Sequence, residues 1–299
     1  MVEAPPARIV FVGLGNMGSP MAALLAAAGH ALTVIDARPE TVSRFVAEHP
    51  AAVAGRRPLP AGVADIAITM LPNIDVVREV MLGPDGIAPA LGEGAILIDM
   101  SSSSPYGTIA LAAELAAAGI AMVDTPVSGG VARAVSGELT IMAGGDAATL
   151  DRCWPILQVM AGTLFRTGPL GSGQAMKALN NLCSAAGLLI AAEAVRAGRR
   201  FGLDPELMID VLNVSTGQNN STLRKFKPFV LPKQYRAGFG LDLMVKDIRA
   251  ARDIIDREHV AAPLAQACVE LWGQAQELLG PGQDHTAIDR WLELLSGGD

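Results

Sequence analysis

The chain has 299 residues, of which 51% are hydrophobic and 18% are charged, with a mean hydropathy of +0.36. This composition is typical of a compact globular protein and excludes a disordered chain, and the length allows two domains. The formal net charge of -7 argues against nucleic acid as the main partner, because phosphate binding needs clustered positive charge.

Membrane, secretory and metal-binding classes are also disfavoured. The longest apolar run, residues 182–192, is shorter than the roughly 20 residues that cross a bilayer. A strand-like run begins at Arg8, which leaves no room for a signal peptide, so we expect a cytoplasmic protein. The three cysteines and four histidines lack the spacing of a disulfide framework or a zinc site. We expect reduced cysteines and chemistry without a metal.

Short apolar runs alternate with helical stretches between Arg8 and about Arg166. The strand-like runs are RIVFV, ALTVI, DIAIT, AILID, AMVD, LTIMA and TLFR. The helical stretches between them include residues 17–28, 41–48 and 104–118. This alternation predicts βαβ units and a doubly wound, mostly parallel α/β sheet that is covered on both faces.

The pattern changes after Gly168, where strand-like runs vanish and helical stretches take over. The predicted helices are residues 172–201, 205–214, 245–258, 263–279 and 285–295. Asp204 and Pro205 mark one start, since aspartate caps helices well and proline suits the first turn. We therefore predict a sheet domain over 1–168 and an all-helical domain over 169–299, joined by the long helix.

Residues 215–240 are predicted to be a flexible loop, because several prolines and glycines interrupt them. Polar side chains in and near this segment could line a pocket for a polyhydroxylated or doubly charged acid, with solvated surface as the alternative. They are Arg133, Gln218, Asn219, Asn220, Ser221, Lys225 and Lys233.

A glycine-rich turn, Gly13-Leu-Gly15-Asn-Met-Gly18, follows the first strand and opens a helix. The first glycine allows a tight turn, the second lets a pyrophosphate approach the backbone, and the third permits close packing of helix on strand. Glycine turns are common, so the motif alone is weak. Asp36, 21 residues after Gly15, has the spacing of a carboxylate that binds a ribose hydroxyl. Together these features predict a dinucleotide, with NAD preferred because Asp36 would repel a 2′-phosphate; Arg38 keeps NADP possible.

Polar groups also follow two later strands, where ligands of parallel sheets bind. The sequences are TMLPN at 69–73 and DMSSS at 99–103. The hydroxyl of Ser102 or Ser103 could touch the nicotinamide or its ribose, whereas Ser104 is expected to cap a helix. Downstream, Ser128, Gly129 and Gly130 could form a backbone nest for a carboxylate, with an ordinary glycine turn as the alternative.

A lysine and two asparagines follow a glycine-rich stretch at the start of the long predicted helix. Lys177 lies three and four residues before Asn180 and Asn181, so the three side chains share one helical face. A lysine in dry surroundings loses its proton more readily and can act as an acid or base. A solvated lysine near a helix start is the ordinary alternative.

The motifs GLGNMG, TMLPN, DMSSS, DTPVSGG, GSGQAMKALNN and FGLDLMVKD stand in the order seen in the β-hydroxyacid dehydrogenases. From Arg8 to its last helices the chain resembles this family, which includes 3-hydroxyisobutyrate dehydrogenase and tartronate semialdehyde reductase. The resemblance implies a Rossmann-type domain followed by an all-α domain. It implies that Lys177 is catalytic and that Asn181 assists at the substrate hydroxyl. The substrate-binding residues it implies are Ser128, Gly129, Gly130, Asn180 and Lys246.

The resemblance also implies a set of cofactor-binding residues. They are Gly13, Leu14, Gly15, Asn16, Met17, Gly18, Asp36, Ala37, Arg38, Leu71, Pro72, Val76, Ser102, Phe239 and Lys246. Ser102 stands where many relatives carry threonine and keeps the hydroxyl. Ala37 stands where some NADP-preferring relatives carry arginine, which again favours NAD.

The implied activity is hydride transfer between nicotinamide and the 3-hydroxyl carbon of a small β-hydroxy acid, such as 3-hydroxyisobutyrate or glycerate, or its semialdehyde. Lys177 would be the general acid or base. An imine reductase-like enzyme and a non-catalytic NAD-binding scaffold are the alternatives, and the presence of Lys177 weighs against both. The resemblance further implies a homodimer or homotetramer, and it leaves the particular hydroxy acid open.

Overall fold

The computed structural model describes residues 6–297. Within this range one sheet contains nine strands, numbered β1 to β9 along the chain. They are Arg8–Val12, Ala31–Ile35, Val53–Ala54, Ala64–Thr69, Leu91–Asp99, Ala121–Asp124, Val127–Ser128, Leu139–Gly144 and Ala161–Gly168. Their order is β3-β2-β1-β4-β5-β6-β8-β7, with β9 paired to β8. Strands β1 to β6 are parallel, and β8 runs antiparallel to β6 and β7. The predicted doubly wound, mostly parallel sheet is confirmed.

Six helices, α1 to α6, accompany these strands. They are Gly18–Ala27, Pro39–Glu48, Ile74–Leu82, Pro105–Ala116, Gly130–Ser136 and Ala147–Gln158. Successive residues of β1 bury on opposite faces of the sheet, because strand side chains alternate. Phe11 packs in one apolar cluster with Met21 and Leu25, whereas Val10 packs in another with Val77 and Met81. Burial on both faces explains why the strands are continuously apolar.

Helices α7 to α12 follow the sheet. They are Ser172–Phe201, Pro205–Asn213, Asn220–Arg224, Leu241–Arg257, Pro263–Leu279 and Ile288–Leu295. Leu188, Phe226, Trp272 and Trp291 belong to one buried cluster of this helical part. By internal contacts the chain divides between Lys177 and Ala178, within α7, into a first and a second unit. The domain boundary after residue 168 stays a prediction.

Several predicted bounds are corrected by the structure. The two-residue strands β3 and β7 escaped prediction, because such short segments carry no periodic pattern. Helix α10 begins at Leu241 rather than at 245. The last predicted helix is divided, since a short 3₁₀ turn, His285–Ala287, precedes α12.

The predicted loop over 215–240 is wrong in its central part. It contains α9, whose start is capped by Asn219, and a π-helical turn, Phe226–Val230. The Asn219 side chain accepts hydrogen bonds from the amides of Ser221 and Thr222. Buried Phe226 and Val230 then anchor the segment to the helical core. Prolines and glycines therefore do not make the whole segment a loop, since Pro228 lies inside the π-helical turn.

Among the described residues, α7 is long and apolar enough to cross a membrane by length and composition. The apolar run judged too short in the sequence is part of this longer helix, so run length alone does not exclude a span. Of its most apolar stretch of 18 residues, 44% is buried within the protein. The core helix of a soluble protein can be equally long and apolar, so one such helix is weak evidence for a membrane span.

Candidate cofactor-binding and active site

The glycine-rich turn has the geometry that its motif predicts. Gly13 has a φ of +101°, and a Cβ there would lie 2.3 Å from the carbonyl oxygen of Met70. A Cβ on Gly18 would lie 1.8 Å from the carbonyl oxygen of Gly13. Gly15 has no such neighbour within 4 Å, so its backbone is open to a ligand. Because α1 begins here, its N-terminal dipole favours a phosphate at this turn.

Asp36 directly follows β2 and is tied to the glycine-rich turn. Its carboxylate accepts hydrogen bonds from the amides of Leu14, at 2.8 Å, and Arg38, at 2.9 Å. The Arg38 Nε lies 3.5 Å from the same carboxylate. Ala37, between them, is exposed. The acidic group and the turn that would bind a pyrophosphate are therefore held together, as a dinucleotide requires.

The loops after β4 and β5 are joined to each other and to helix starts. The Leu71 amide donates to Ser101 Oγ at 2.9 Å. Asn73 caps α3 by accepting from the Val76 amide, and Ser104 caps α4. Of the two serines left open by the sequence, Ser103 is buried and Ser102 is partly exposed. Exposure favours Ser102 as the residue that can meet a ligand.

Asp124, at the end of β6, caps the start of α7. Its carboxylate accepts from the amides of Gly171 and Gln174, both at 2.7 Å. A carboxylate at this position satisfies backbone donors that the helix leaves unpaired and interacts favourably with the helix dipole. Burial raises the pKa of Asp124, and the hydrogen bonds from Gln174 and Gly171 partly oppose that rise.

Gln174 links α7 to the loop that carries Ser102. Its Oε1 accepts from the Ser103 amide at 2.9 Å, and its Nε2 donates to the Ser101 carbonyl at 2.8 Å. Nε2 also lies 3.4 Å from Asp99 Oδ2. This side chain therefore fixes a candidate cofactor loop against the helical turn that precedes Lys177.

Asp99 is fully buried beneath that loop. Its Oδ1 accepts from the Thr69 hydroxyl at 2.9 Å and from the Ser101 amide at 3.0 Å. Burial raises the pKa of Asp99 to about 6, although the hydrogen bonds from Ser101 and Thr69 favour its ionised form. Asp99 and Asp124 thus support the site from beneath as hydrogen-bond acceptors.

Lys177 is only 8% exposed on α7, which excludes the solvated alternative. Asn181, one helical turn later, is also buried. Its Nδ2 donates to Asp247 Oδ2 at 2.6 Å, while its Oδ1 accepts from Asn180 at 3.1 Å. Lys246 Nζ lies 3.3 Å from the other oxygen of Asp247. Asp247 therefore orients Asn181.

Ser128, Gly129 and Gly130 form the turn between β7 and α5. Ser128 pairs with Thr140 of β8. Gly129 and Gly130 have φ values of +140° and +69°, and both are exposed. A side chain at Gly129 would collide with Arg133. The turn requires glycine because both residues have positive φ values, which other residues rarely adopt. Both glycines are exposed, so their amides lie at the surface.

The seven candidate pocket residues of the sequence belong to different units of the chain. Arg133 belongs to the first unit and the other six to the second. Asn219 is a helix cap, and Lys233 pairs with Glu293 at 2.6 Å. Lys225 lies 3.4 Å from Ser184 Oγ on α7. Phe239, a predicted cofactor residue, packs its ring edge against His285 in the second unit.

Gln174, Asp124 and Asp247 were missed as site residues by sequence reasoning. Each stands inside a recognised motif, GSGQ, DTPVSGG or FGLDLMVKD. The available signal was a polar residue within a stretch predicted to be buried. The hydrogen-bond partners of these residues lie far away in the sequence, so the signal alone did not indicate their roles. Residues 6–297 contain no group of three or more His, Cys, Asp or Glu side chains that could hold a metal.

The sheet order, the glycine-rich turn of β1 and the carboxylate after β2 define a dinucleotide-binding domain of the Rossmann class. A helical unit and a buried Lys177 accompany it. Together they define an NAD(P)-dependent oxidoreductase.

Comparison with known proteins identifies the family. A family model described as the NAD-binding domain of 6-phosphogluconate dehydrogenase matches residues 8–168. Another, described as NAD-binding of NADP-dependent 3-hydroxyisobutyrate dehydrogenase, matches residues 171–292. The chain belongs to the β-hydroxyacid dehydrogenase family and is an oxidoreductase that acts on CH–OH donors.

Individual relatives agree with this assignment. The 3-sulfolactaldehyde reductase of Escherichia coli strain K12 is 35% identical, over 97% of either chain. The 2-(hydroxymethyl)glutarate dehydrogenase of Eubacterium barkeri is 33% identical, over 97% of this chain and 96% of its own. A solved structure of Mycobacterium tuberculosis 3-hydroxyisobutyrate dehydrogenase with L-serine matches with a TM-score of 0.86 and 32% identity, covering 96% of this chain and 99% of the other.

Proposed function

We propose that the chain interconverts a small β-hydroxy acid and its semialdehyde, with Lys177 as the general acid or base and NAD as the preferred cofactor. The observation that carries this proposal is the burial of Lys177 on α7, one turn before an asparagine that Asp247 orients. Lysine in dry surroundings is suited to proton transfer. NAD supplies the hydride acceptor when it is bound.

The proposed steps assign one role to each group. The amides of Gly129 and Gly130, with the Ser128 hydroxyl, bind the substrate carboxylate. Asn181 orients the substrate hydroxyl. Asn180 and Lys246 are further substrate-binding residues. During oxidation Lys177 Nζ accepts the hydroxyl proton, and during reduction it donates a proton to the carbonyl oxygen.

The cofactor assignment rests on residues of the first unit. Asp36 favours the ribose hydroxyls of NAD and repels a 2′-phosphate, while the open Gly15 backbone and the start of α1 suit the pyrophosphate. Leu71, Pro72, Val76 and Ser102 would contact the nicotinamide half. We expect a higher kcat/KM with NAD than with NADP, and Asp36→Asn should narrow that ratio while keeping an acceptor for the Leu14 amide. The reverse order in the wild type would defeat the assignment.

A substrate panel tests the activity itself. NADH absorbance should rise with at least one acid among 3-hydroxyisobutyrate, glycerate, threonate, serine, 3-hydroxypropionate and 2-(hydroxymethyl)glutarate. The reverse reaction should be followed with 3-sulfolactaldehyde. A wild-type protein that binds NAD but turns over none of these compounds would support a scaffold instead.

We also propose a cytoplasmic homodimer or homotetramer. In the second unit Ile190 is 60% exposed on α7 although Leu188 and Leu189 are buried, and Val214 and Leu264 are exposed as well. Exposed large apolar side chains of this kind are suited to a subunit interface. Light scattering coupled to size-exclusion chromatography should give a mass of two or four chains; a monomer at micromolar concentration would contradict the proposal.

A further inference from the structure

We propose that Lys225 forms an anion-binding subsite for a second anionic group of the substrate, so that the enzyme prefers β-hydroxy acids bearing a second carboxylate or sulfonate. This inference rests on the proposed function and names the substrate class for that same site. It is carried by the position of one lysine, by its surroundings, and by the lack of a carboxylate within ion-pair distance among residues 6–297.

The backbone at Lys225 is held firmly. Its amide donates to the Ser221 carbonyl at 2.8 Å, and its own carbonyl accepts from the Phe229 amide at 3.0 Å. The next residue, Phe226, is fully buried in the helical core. Lys225 is therefore anchored between α9 and the π-helical turn, in a segment that the sequence suggested to be a loop. An anchored backbone suits a binding residue, because less freedom is lost when a ligand binds.

The side chain of Lys225 reaches the polar face of α7. Its Nζ lies 3.4 Å from Ser184 Oγ. Lys177, Asn181 and Ser184 recur at positions i, i+4 and i+7, which places them on one face of that helix. One helical turn rises about 5.4 Å, so the ammonium group lies roughly one turn beyond Asn181. An anionic group separated by three or four carbons from a hydroxyl at Asn181 could span this distance.

The charges around Lys225 differ from those around the neighbouring lysines. Lys227 and Lys233 each have a carboxylate at 2.6 Å. In the chain from residue 6 to residue 297, Lys225 Nζ has no carboxylate within the 4.0 Å range of an ion pair. Asp284 is the acid whose charge acts on it, but that carboxylate accepts from the amides of Gly238 and Thr286.

A partly buried ammonium without a paired carboxylate is unfavourable, and a ligand anion would compensate for it. Burial lowers the pKa of Lys225 to about 8, with Asp284 opposing the shift. The side chain is thus mostly protonated at pH 7 and can bind an anion there. Ser184 would supply a hydroxyl donor beside it.

The test compares two acids that differ in one group. 2-(Hydroxymethyl)glutarate and 2-(hydroxymethyl)pentanoate have the same carbon skeleton, and the second replaces the distal carboxylate with a methyl group. The wild type should favour the diacid in kcat/KM. Lys225→Met should lower that preference by about tenfold to a hundredfold, as expected for the loss of a charge-assisted hydrogen bond. Lys225→Arg should retain a larger part of the preference than the methionine variant.

Lys227→Met is the matched control, since Lys227 stands two positions away and is ion-paired with Asp210 at the surface. It should leave the preference unchanged. Inhibition of the wild type by glutarate and by pentanoate provides a measurement that needs no variant. Glutarate should inhibit at a concentration at least about tenfold lower.

The outcomes separate this inference from the function on which it rests. A wild type that oxidises 3-hydroxyisobutyrate but shows no preference for the diacid overturns the Lys225 subsite alone. An unchanged preference in folded Lys225→Met, or equal inhibition by glutarate and pentanoate, does the same. Failure to oxidise any β-hydroxy acid with NAD or NADP overturns the proposed function.

Discussion

At the scale of single residues, burial distinguishes Lys177 from an ordinary surface lysine. Lys177 as a whole residue is 8% exposed, whereas the side chain of Lys227 is 44% exposed. Removal from water disfavours the charged form of a lysine and so eases release of its proton. These are the conditions under which a lysine serves as an acid or base.

Lys177→Ala should reduce kcat by about 10²- to 10⁴-fold, because the positioned proton acceptor is lost. Binding of NAD, measured by calorimetry, should change little, since the cofactor assignment rests on other residues. Lys227→Ala serves as the control and should keep wild-type turnover. A Lys177→Ala enzyme with near-normal kcat would exclude the proposed role.

Asp247 acts on Asn181 and therefore positions rather than reacts. Its loss would free the Asn181 amide, which now donates to it at 2.6 Å. Asp247→Ala should lower kcat by about tenfold or more, the effect of a lost hydrogen bond to a charged group. Asp247→Asn, which retains an acceptor oxygen, should recover part of that loss. Equal kcat values for the two variants would indicate that Asn181 does not depend on this contact.

At the scale of elements, the start of α7 is held in place by hydrogen bonds from two other segments. The Asp124 carboxylate binds its first free amides, and Gln174 ties it to the loop after β5. Two separate strand ends thus set where the helix begins. Because helix side chains follow the backbone rigidly over one turn, the position of Lys177 depends on these contacts.

Gln174→Ala should therefore impair both stability and catalysis. It leaves the buried Ser103 amide and Ser101 carbonyl without their partner, at about 1–3 kcal/mol for a buried unsatisfied group. We expect a lower urea midpoint and a higher KM for NAD, together with a reduced kcat. Gln266→Ala is the control, since Gln266 is exposed on α11 and its side chain donates to Glu270 of the same helix. Wild-type kinetics and stability in Gln174→Ala would show that the loop and helix are held independently.

At the scale of the whole molecule, the buried acids make stability depend on pH. The pKa of Asp99 is about 6 in the folded protein, above its ordinary value of 3.8. Between these values the folded state binds more protons than the unfolded state. The stability that protonated Asp99 contributes is therefore complete below about pH 4 and is lost as pH rises through about 6.

Asp99→Asn should remove this pH dependence, because the amide does not titrate. The free energy of unfolding of the wild type, relative to the variant, should fall between pH 4 and pH 7 by about 1–3 kcal/mol. Urea denaturation at several pH values measures the difference. Asp151→Asn, at an exposed position, should track the wild type. A constant difference between wild type and Asp99→Asn would contradict the raised pKa.

Local pattern predicted the main elements closely. The bounds of β1, β2, α7 and α11 coincide with the predicted ones, because each has a clear apolar period or a glycine or proline at its end. Prediction failed over 215–240, where a short helix depends on the Asn219 cap and on the burial of Phe226. Burial of that kind depends on distant partners and is absent from a short window of sequence.

The sequence by itself determined the class of fold, the glycine-rich turn and the face of α7 that carries Lys177. These depend on backbone geometry and on side-chain periodicity, which are properties of neighbouring residues. The resemblance of its motifs then identified the family. The residues to which NAD and the substrate bind stay predictions.

Only the tertiary structure decided which polar groups are buried together. Gln174 meets Asp99 across 75 positions of chain, Asn181 meets Asp247 across 66, and Lys225 meets Ser184 across 41. Contacts between residues so far apart depend on how helices and strands pack, which no local pattern encodes. For the same reason, only the tertiary structure shows that no carboxylate of residues 6–297 lies within 4.0 Å of Lys225 Nζ.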